Sequence, residues 1–236
     1  MTEDTSRPHI VEPTGFCFDT TALIEQLRIQ DDASQIEELR ALVEQATVIA
    51  RPKAMYRLVF VDDVGDDYVT LDAIRFSSRV LRVNIAETHR AFACLATCGE
   101  ELEHWSEQLD DPLYTYWSEN IRLHALGAAS KALLDDLNRR YQPGHMSHMN
   151  PGSLSDWPLG EQRPMFRLLG DTESSIGVRL QPSLLMWPTK TVSSIAFPTS
   201  STFESCLLCP RQTCPNRRAP FDPGMMDREY KSKTQG

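Results

Sequence analysis

The 236-residue sequence predicts an α+β fold: a mostly antiparallel sheet with several packed helices, one of them long and central. Three observations carry that prediction. Apolar residues recur at helical spacing behind strong N-terminal caps, and apolar runs of strand length lie between them. The regular strand–helix alternation that a doubly wound parallel sheet requires is missing. A hydrophobic fraction of 41% and a charged fraction of 24% suit a folded domain, and the length suffices for a sizeable core.

The elements follow in order. Ser34 and Glu37 form a capping box, after which Ile36, Leu39, Val43, Ala46 and Ala50 share one helical face. Beyond Arg51-Pro52 the pattern shifts to a β-hairpin, Tyr56–Val61 and Tyr68–Ile74, turning at Asp62 to Asp67. Val80–Ile85 reads as a further β-rich piece and Ala91–Cys98 as a buried strand. Gly99 opens a helix to about Leu109. Asp111-Pro112, an N-cap followed by proline at the first helical position, launches the long helix to about Tyr141, with an apolar stripe of Leu113, Trp117, Ile121, Ala125, Ala128 and Ala132. A loop is expected over Gln142–Trp157. A helix from Asp156-Trp-Pro158 to Leu169 follows, stopped by Gly170, and then strands at Ile176–Leu180 and Val192–Phe197. Residues 1–200 form the expected body and 201–236 a cysteine-rich tail.

The net charge of −9 and pI of about 5.2 argue against nucleic acid as a partner, since duplex binding needs a surplus of Lys and Arg. From Cys206 to Gly236 six basic residues face three acidic ones, so a basic tail follows an acidic body. An acidic, polar start and no apolar stretch of spanning length give no membrane partner and an expected cytoplasmic location. Glycine-rich nucleotide loops and Gly-x-Ser-x-Gly are absent from the sequence.

In a reducing compartment clustered thiols read first as metal ligands. Cys206-Leu-Leu-Cys209-Pro-Arg-Gln-Thr-Cys214 offers three thiolates, one short of the set that structural zinc or an iron–sulfur cluster takes. Cys98, Cys94, Cys17 and His148 are candidates for the fourth ligand, and Cys98, beside Gly99 at a strand end, is preferred. Arg217-Arg218 just beyond can pair with a partner's carboxylate or stay solvated.

Two further strings are distinctive. Pro151-Gly152-Ser-Leu-Ser-Asp156-Trp157-Pro-Leu-Gly-Glu161-Gln162 lies in the expected loop. Ser183-Leu-Leu-Met186-Trp187-Pro188-Thr-Lys190-Thr-Val192-Ser193 follows, and its Met186 and Trp187 suit either a core wedge or the wall of a ligand slot.

Together they resemble the reactivation domain of cobalamin-dependent methionine synthase. That family has a Pro-Gly-Tyr turn thirteen residues before a Phe, and Ser153 precedes Phe166 by the same interval; its Met-Trp-Pro string matches Met186–Pro188 through Ser193 without a gap. The fuller Pro151–Gln162 string is similar to stand-alone members with cysteine-rich tails. The resemblance covers roughly Ile49 to Pro198. It implies an α+β domain that binds S-adenosylmethionine and docks on a corrinoid-binding methyltransferase, where cobalamin on the partner is reduced and remethylated. The family's Arg-x-x-x-Gly-Tyr motif falls on His148 and Ser153 in ungapped register, or on Arg140 and Gly144 after a short insertion. The family's Glu and Tyr become Pro182 and Leu184, and Lys190 is new. The cofactor-binding residues implied are Arg140, His148, Asn150, Pro151, Gly152, Met186, Trp187, Pro188 and Lys190. The metal set of Cys206, Cys209, Cys214 and Cys98 would pass an electron if it holds an iron–sulfur cluster, and would fold the tail if it holds zinc. A non-catalytic module that binds a corrinoid protein is the rival expectation.

Overall fold

A computed structural model describes residues 7–200, 203–214 and 217–231. At its centre is β5 (Arg90–Thr97), buried along its whole length after Arg90. It pairs antiparallel with β2 (Lys53–Val64), from Lys53↔Thr97 to Phe60↔Arg90, and with β9 (Thr191–Pro198), from Phe92↔Ala196 to Thr97↔Thr191. β6 (Met146–Met149) closes the far edge on β9. The start of β2 carries β1 (His9–Val11), and its end, past an irregularity at Val61/Asp63, carries β3 (Tyr68–Leu71) and β4 (Ile74–Ser77). The order is β4-β3-β2-β5-β9-β6, antiparallel throughout, as expected.

Side chains alternate across this sheet. Met55, Ala93, Leu95, Ile195 and Phe197 enter one core, and Tyr56, Phe92, Cys94, Ala96 and Ala196 the other. The second face is covered by the long helix α5 (Pro112–Tyr141), whose Asp111 cap accepts from the N–H of Leu113 at 2.7 Å. Its buried row is Trp117, Ile121, Ala125, Ala129, Leu133 and Leu137. A four-residue row winds slowly around the axis, so the first three contact the helical core and the last three the sheet. The stripe expected through Ala128 and Ala132 therefore runs one residue later, and Leu113 is exposed. The helical core joins α5 to α1 (Thr20–Leu27), α2 (Ala33–Ile49) and α4 (Glu100–Ser106). Asp32, not Ser34, caps α2, accepting from the N–H of Gln35 at 3.0 Å; a carboxylate two residues earlier outcompetes the hydroxyl.

The opposite layer departs most from expectation. Val80–Ile85 lies in a helix, α3 (Arg79–Ile85), because Ser78 caps it and buries Val80, Leu81 and Ile85 on one side. Residues 142–157 contain the edge strand β6 rather than only loop. The helix expected from Asp156 resolves into a 3₁₀ turn, Leu159–Glu161, and α6 (Gln162–Leu169), ended by Gly170 at φ +85°. Asp171 caps α7 (Thr172–Ile176), which leaves only β7 (Arg179–Leu180) of the strand expected there, paired with β8 (Met186–Trp187).

The Pro151–Gln162 string clasps this layer to the sheet. The Asp156 carboxylate accepts from the Ser78 hydroxyl and from the Val80 N–H at 2.9 Å, capping α3 from a distance of 76 residues along the chain. Trp157 is fully buried edge-on to Phe76. Glu161 accepts from the Ser77 N–H, and Gln162 from the Ser193 hydroxyl on β9. Asp156→Ala is expected to cost about 1–2 kcal/mol through loss of the cap, measured by urea unfolding. A loss under about 0.3 kcal/mol would show that the clasp is not supporting α3.

Candidate functional site

Between α5 and the α5-facing side of β5, β9 and β6 lies a cavity of about 240 Å³. Leu133, Leu134, Val192 and Ala196 give it apolar walls, while Ser194, His148, Asn150 and Arg218 supply polar groups. His148 sits on β6 opposite Ala196, an even position that β pleating turns toward α5. Asn150 is held where the strand ends, its amide donating to the Ser193 carbonyl at 2.7 Å. Arg218 arrives from the tail and places Nη1 2.8 Å from His148 Nε2, and Nη2 3.0 Å from Glu204 Oε2. Burial, then the Arg218 charge, holds His148 below the ordinary histidine range, with Glu204 opposing. A guanidinium can only donate, so His148 Nε2 is the acceptor and its proton is on Nδ1.

Of the residues expected to bind a cofactor, this cavity gathers His148 and Asn150 alone. Pro151 is buried, and Gly152 takes φ +87° with its N–H donating to the Trp157 carbonyl at 2.8 Å. A Cβ there would meet the Leu159 side chain at 3.0 Å, so the turn is packed against its own loop. Arg140 is elsewhere, donating to Asp136 at 2.8 Å in a group that includes the Tyr56 hydroxyl. The two rival anchors, Arg140 and His148, thus belong to different places, and His148 is the one at the cavity.

Met186, Trp187, Pro188 and Lys190 form a second region. Trp187 is buried between the Arg179 guanidinium, 3.7 Å above its ring, and His104, with ring centres 5.0 Å apart. The Trp187–Pro188 bond is cis. Thr189 donates to Glu103 at 2.7 Å, and Lys190 pairs with Glu119. Arg122 binds Glu103 at 2.6 Å and Glu119 at 3.1 Å. Glu119 titrates below the ordinary carboxylate range, chiefly through its hydrogen bond to Lys190. Met186 and Trp187 thus act as a wedge, and Lys190 as one member of an internal charge network.

The thiols are divided between faces of the molecule. Cys98 is fully buried in the helical core, its N–H donating to the Lys190 carbonyl, and burial pushes its thiol up to about 12. Cys209 packs against the opposite core with Phe203 and Tyr230. Cys98, expected as the fourth ligand, is therefore not brought to the tail thiols, because strand alternation and the end of β5 direct it into the helices. Cys94 faces the cavity and is likewise pushed up to about 12 by burial. Cys206 differs. The N–H of Arg218 approaches its sulfur at 3.5 Å, and this contact, with Arg217 and Arg218 nearby, holds it below the ordinary thiol range. Among the described residues no three His, Cys, Asp or Glu side chains converge to hold a metal ion.

Sequence reading missed Arg217 and Arg218 as internal groups. Arg217 donates to the carbonyls of Cys206 at 3.1 Å, Cys209 at 3.2 Å and Ala219 at 3.1 Å, and also to that of Arg211. The only signal was the Arg-Arg pair itself, which spacing cannot separate from a solvated one.

No known family model and no curated protein matches the chain. Among solved structures, a crystal structure of the MetH reactivation domain bound to AdoHcy matches with a TM-score of 0.59 at 14% identity, over 84% of this chain and 81% of that one. The chain is similar to that domain in fold. Among the described residues no helix is long and apolar enough to cross a membrane.

The Arg122–Glu103 pair, 5% and 4% exposed, carries a stability prediction. Arg122→Ala is expected to cost about 3–5 kcal/mol, because Glu103 is left charged and buried. The double change to Arg122→Met and Glu103→Leu should recover most of that loss in chemical denaturation. A single variant as stable as the native protein would show that the network contributes nothing.

Proposed function

We propose that this protein assists the reductive reactivation of a corrinoid-dependent methyltransferase such as methionine synthase. It would bind S-adenosylmethionine and dock on the partner that carries cobalamin. The observation that supports this most is the shared fold with an AdoHcy-bound reactivation domain, joined to the Pro151–Gln162 and Met186–Ser193 strings on that same fold.

On this reading the cavity beside His148, Asn150 and Arg218 receives part of the S-adenosylmethionine. The protein's own residues would do three things. The apolar walls from α5 exclude water, Asn150 fixes the end of β6 to β9, and His148 in its Nδ1–H form offers a donor without added charge. S-adenosylmethionine supplies the methyl group when bound, and the partner's corrinoid, given one electron, accepts it. The test mixes the full chain with a partner methyltransferase in the cob(II)alamin state, a one-electron reductant and S-adenosylmethionine, and follows methylcobalamin by absorbance. Faster formation with the chain than without it is expected; equal rates would refute the role for that partner.

One observation favours a second reading, a non-catalytic module that binds a corrinoid protein. Both distinctive strings spend their polar groups internally, Asp156 and Glu161 on backbone N–H groups and Lys190 on Glu119. Docking without methyl transfer would leave the partner's corrinoid bound but unmethylated in the same assay.

The C-x₂-C-x₄-C spacing keeps a metal in the proposal, with Cys206, Cys209 and Cys214 as ligands and Cys98 no longer among them. The described geometry does not gather these donors, so no electron-transfer step is routed through them. Metal analysis and the visible spectrum of anaerobically purified protein decide the matter. Stoichiometric iron with sulfide supports an iron–sulfur cluster, stoichiometric zinc supports a tail clip, and neither metal in protein with three reactive tail thiols would refute the site.

A further inference from the structure

We infer that Arg218 of the C-terminal tail is the anion-binding residue of the cavity between α5 and the sheet, and that this cavity takes the carboxylate end of a short aliphatic chain. Leu133, Leu134, Val192 and Ala196 form its walls, and among the described residues its one guanidinium is Arg218, with His148 and Asn150 beside it. A volume of about 240 Å³ equals the room of roughly eight waters, which suits a chain the size of an aliphatic amino acid.

The cationic end is built. Arg217 binds four backbone carbonyls around its loop, while Phe203 and Tyr230 anchor the tail in the core on the sheet's other face. Ser147 on β6 donates to the Phe203 carbonyl at 3.0 Å, so the tail is fixed to the edge strand where it turns toward the cavity. Arg218 is thereby held at the cavity instead of sweeping through solvent. Its guanidinium has five N–H donors, and His148 and Glu204 use one each. The remaining donors match the two oxygens of a carboxylate. Glu204 is 33% exposed and Arg218 48% exposed, so this pair is a weak competitor that positions the guanidinium and yields to a ligand. His148, which accepts from this guanidinium, lines the same cavity.

Identifying this chain with the methionyl arm of S-adenosylmethionine rests on the function proposed above; the carboxylate contact itself does not. The experiment therefore uses two pairs of probes on the full chain, with binding measured by calorimetry or NMR titration. The first pair is hexanoate against hexanol, and the second is S-adenosylmethionine against methylthioadenosine, which lacks the amino-acid arm. Arg218→Gln is expected to weaken hexanoate by about tenfold or more and leave hexanol unchanged. The same variant should weaken S-adenosylmethionine by a similar factor and spare methylthioadenosine. Glu204→Gln, which removes the competitor, should tighten both carboxylate ligands, and this gain-of-affinity arm does not suffer if Arg218→Gln fails to fold. Arg218-dependent hexanoate binding without any S-adenosylmethionine binding would sink the proposed cofactor and leave the carboxylate site standing. The inference itself is overturned if hexanoate does not bind the native chain saturably, or if Arg218→Gln binds it as the native chain does.

Discussion

Burial of β5 on both faces is the constraint from which the other layers follow. A strand of Ala, Phe, Cys and Leu residues that leaves no exposed side after Arg90 requires cover above and below. The two covers differ in kind. On one face α5 crosses obliquely and carries its contact line from the helical core to the sheet. On the other, the cover is pieced together from short helices and the tail, none of the described helices there exceeding eight residues. The cavity lies on the α5 side, where the small residues Cys94, Ala96, Ser194 and Ala196 leave space that Leu133 and Leu134 do not fill.

Polar groups, rather than further apolar area, fix how the pieced layer sits. Asp156 caps a helix remote in sequence, Glu161 satisfies the Ser77 N–H, and Gln162 ties α6 to β9. Removing Asp156 or Gln162 leaves an unpaired group in a buried or part-buried setting, so these two contacts select one arrangement more sharply than packing does. The Glu103–Arg122–Glu119–Lys190 network plays the same part at the entry to β9, where Thr189 and Lys190 join the turn after Trp187 to α4 and α5. A string that looks like a ligand motif along the chain is, at most of its positions, a set of such ties.

The tail belongs to this architecture on both sides of the edge strand. Phe203, Cys209 and Tyr230 lie with one core, and Arg218 reaches the cavity on the opposite face. Burial separates the thiols for the same reason. Cys94 and Cys98 are held protonated in apolar surroundings, whereas Cys206 sits among N–H groups and guanidinium charge that favour the thiolate.

Periodicity and caps are local, and what they encode was legible in the sequence. The α+β class, the buried run that became β5, the Asp111-Pro112 start of α5, the Gly170 stop and the strand that became β9 all rest on neighbours within a turn or two. His148 entered the sequence reading through the resemblance to the reactivation domain, and the structure places it with Asn150 at the cavity. Tertiary structure decided the rest. Val80–Ile85 has β-forming side chains but is a helix capped by Ser78, a cap that Asp156 supports from 76 residues away, and β6 is a strand because β9 offers an unpaired edge. Arg218 at the cavity and Cys98 in the helical core are likewise consequences of long-range packing. Hydrogen-bond partners and buried faces that lie far apart in the chain leave no period in the sequence, and they fixed which residues meet.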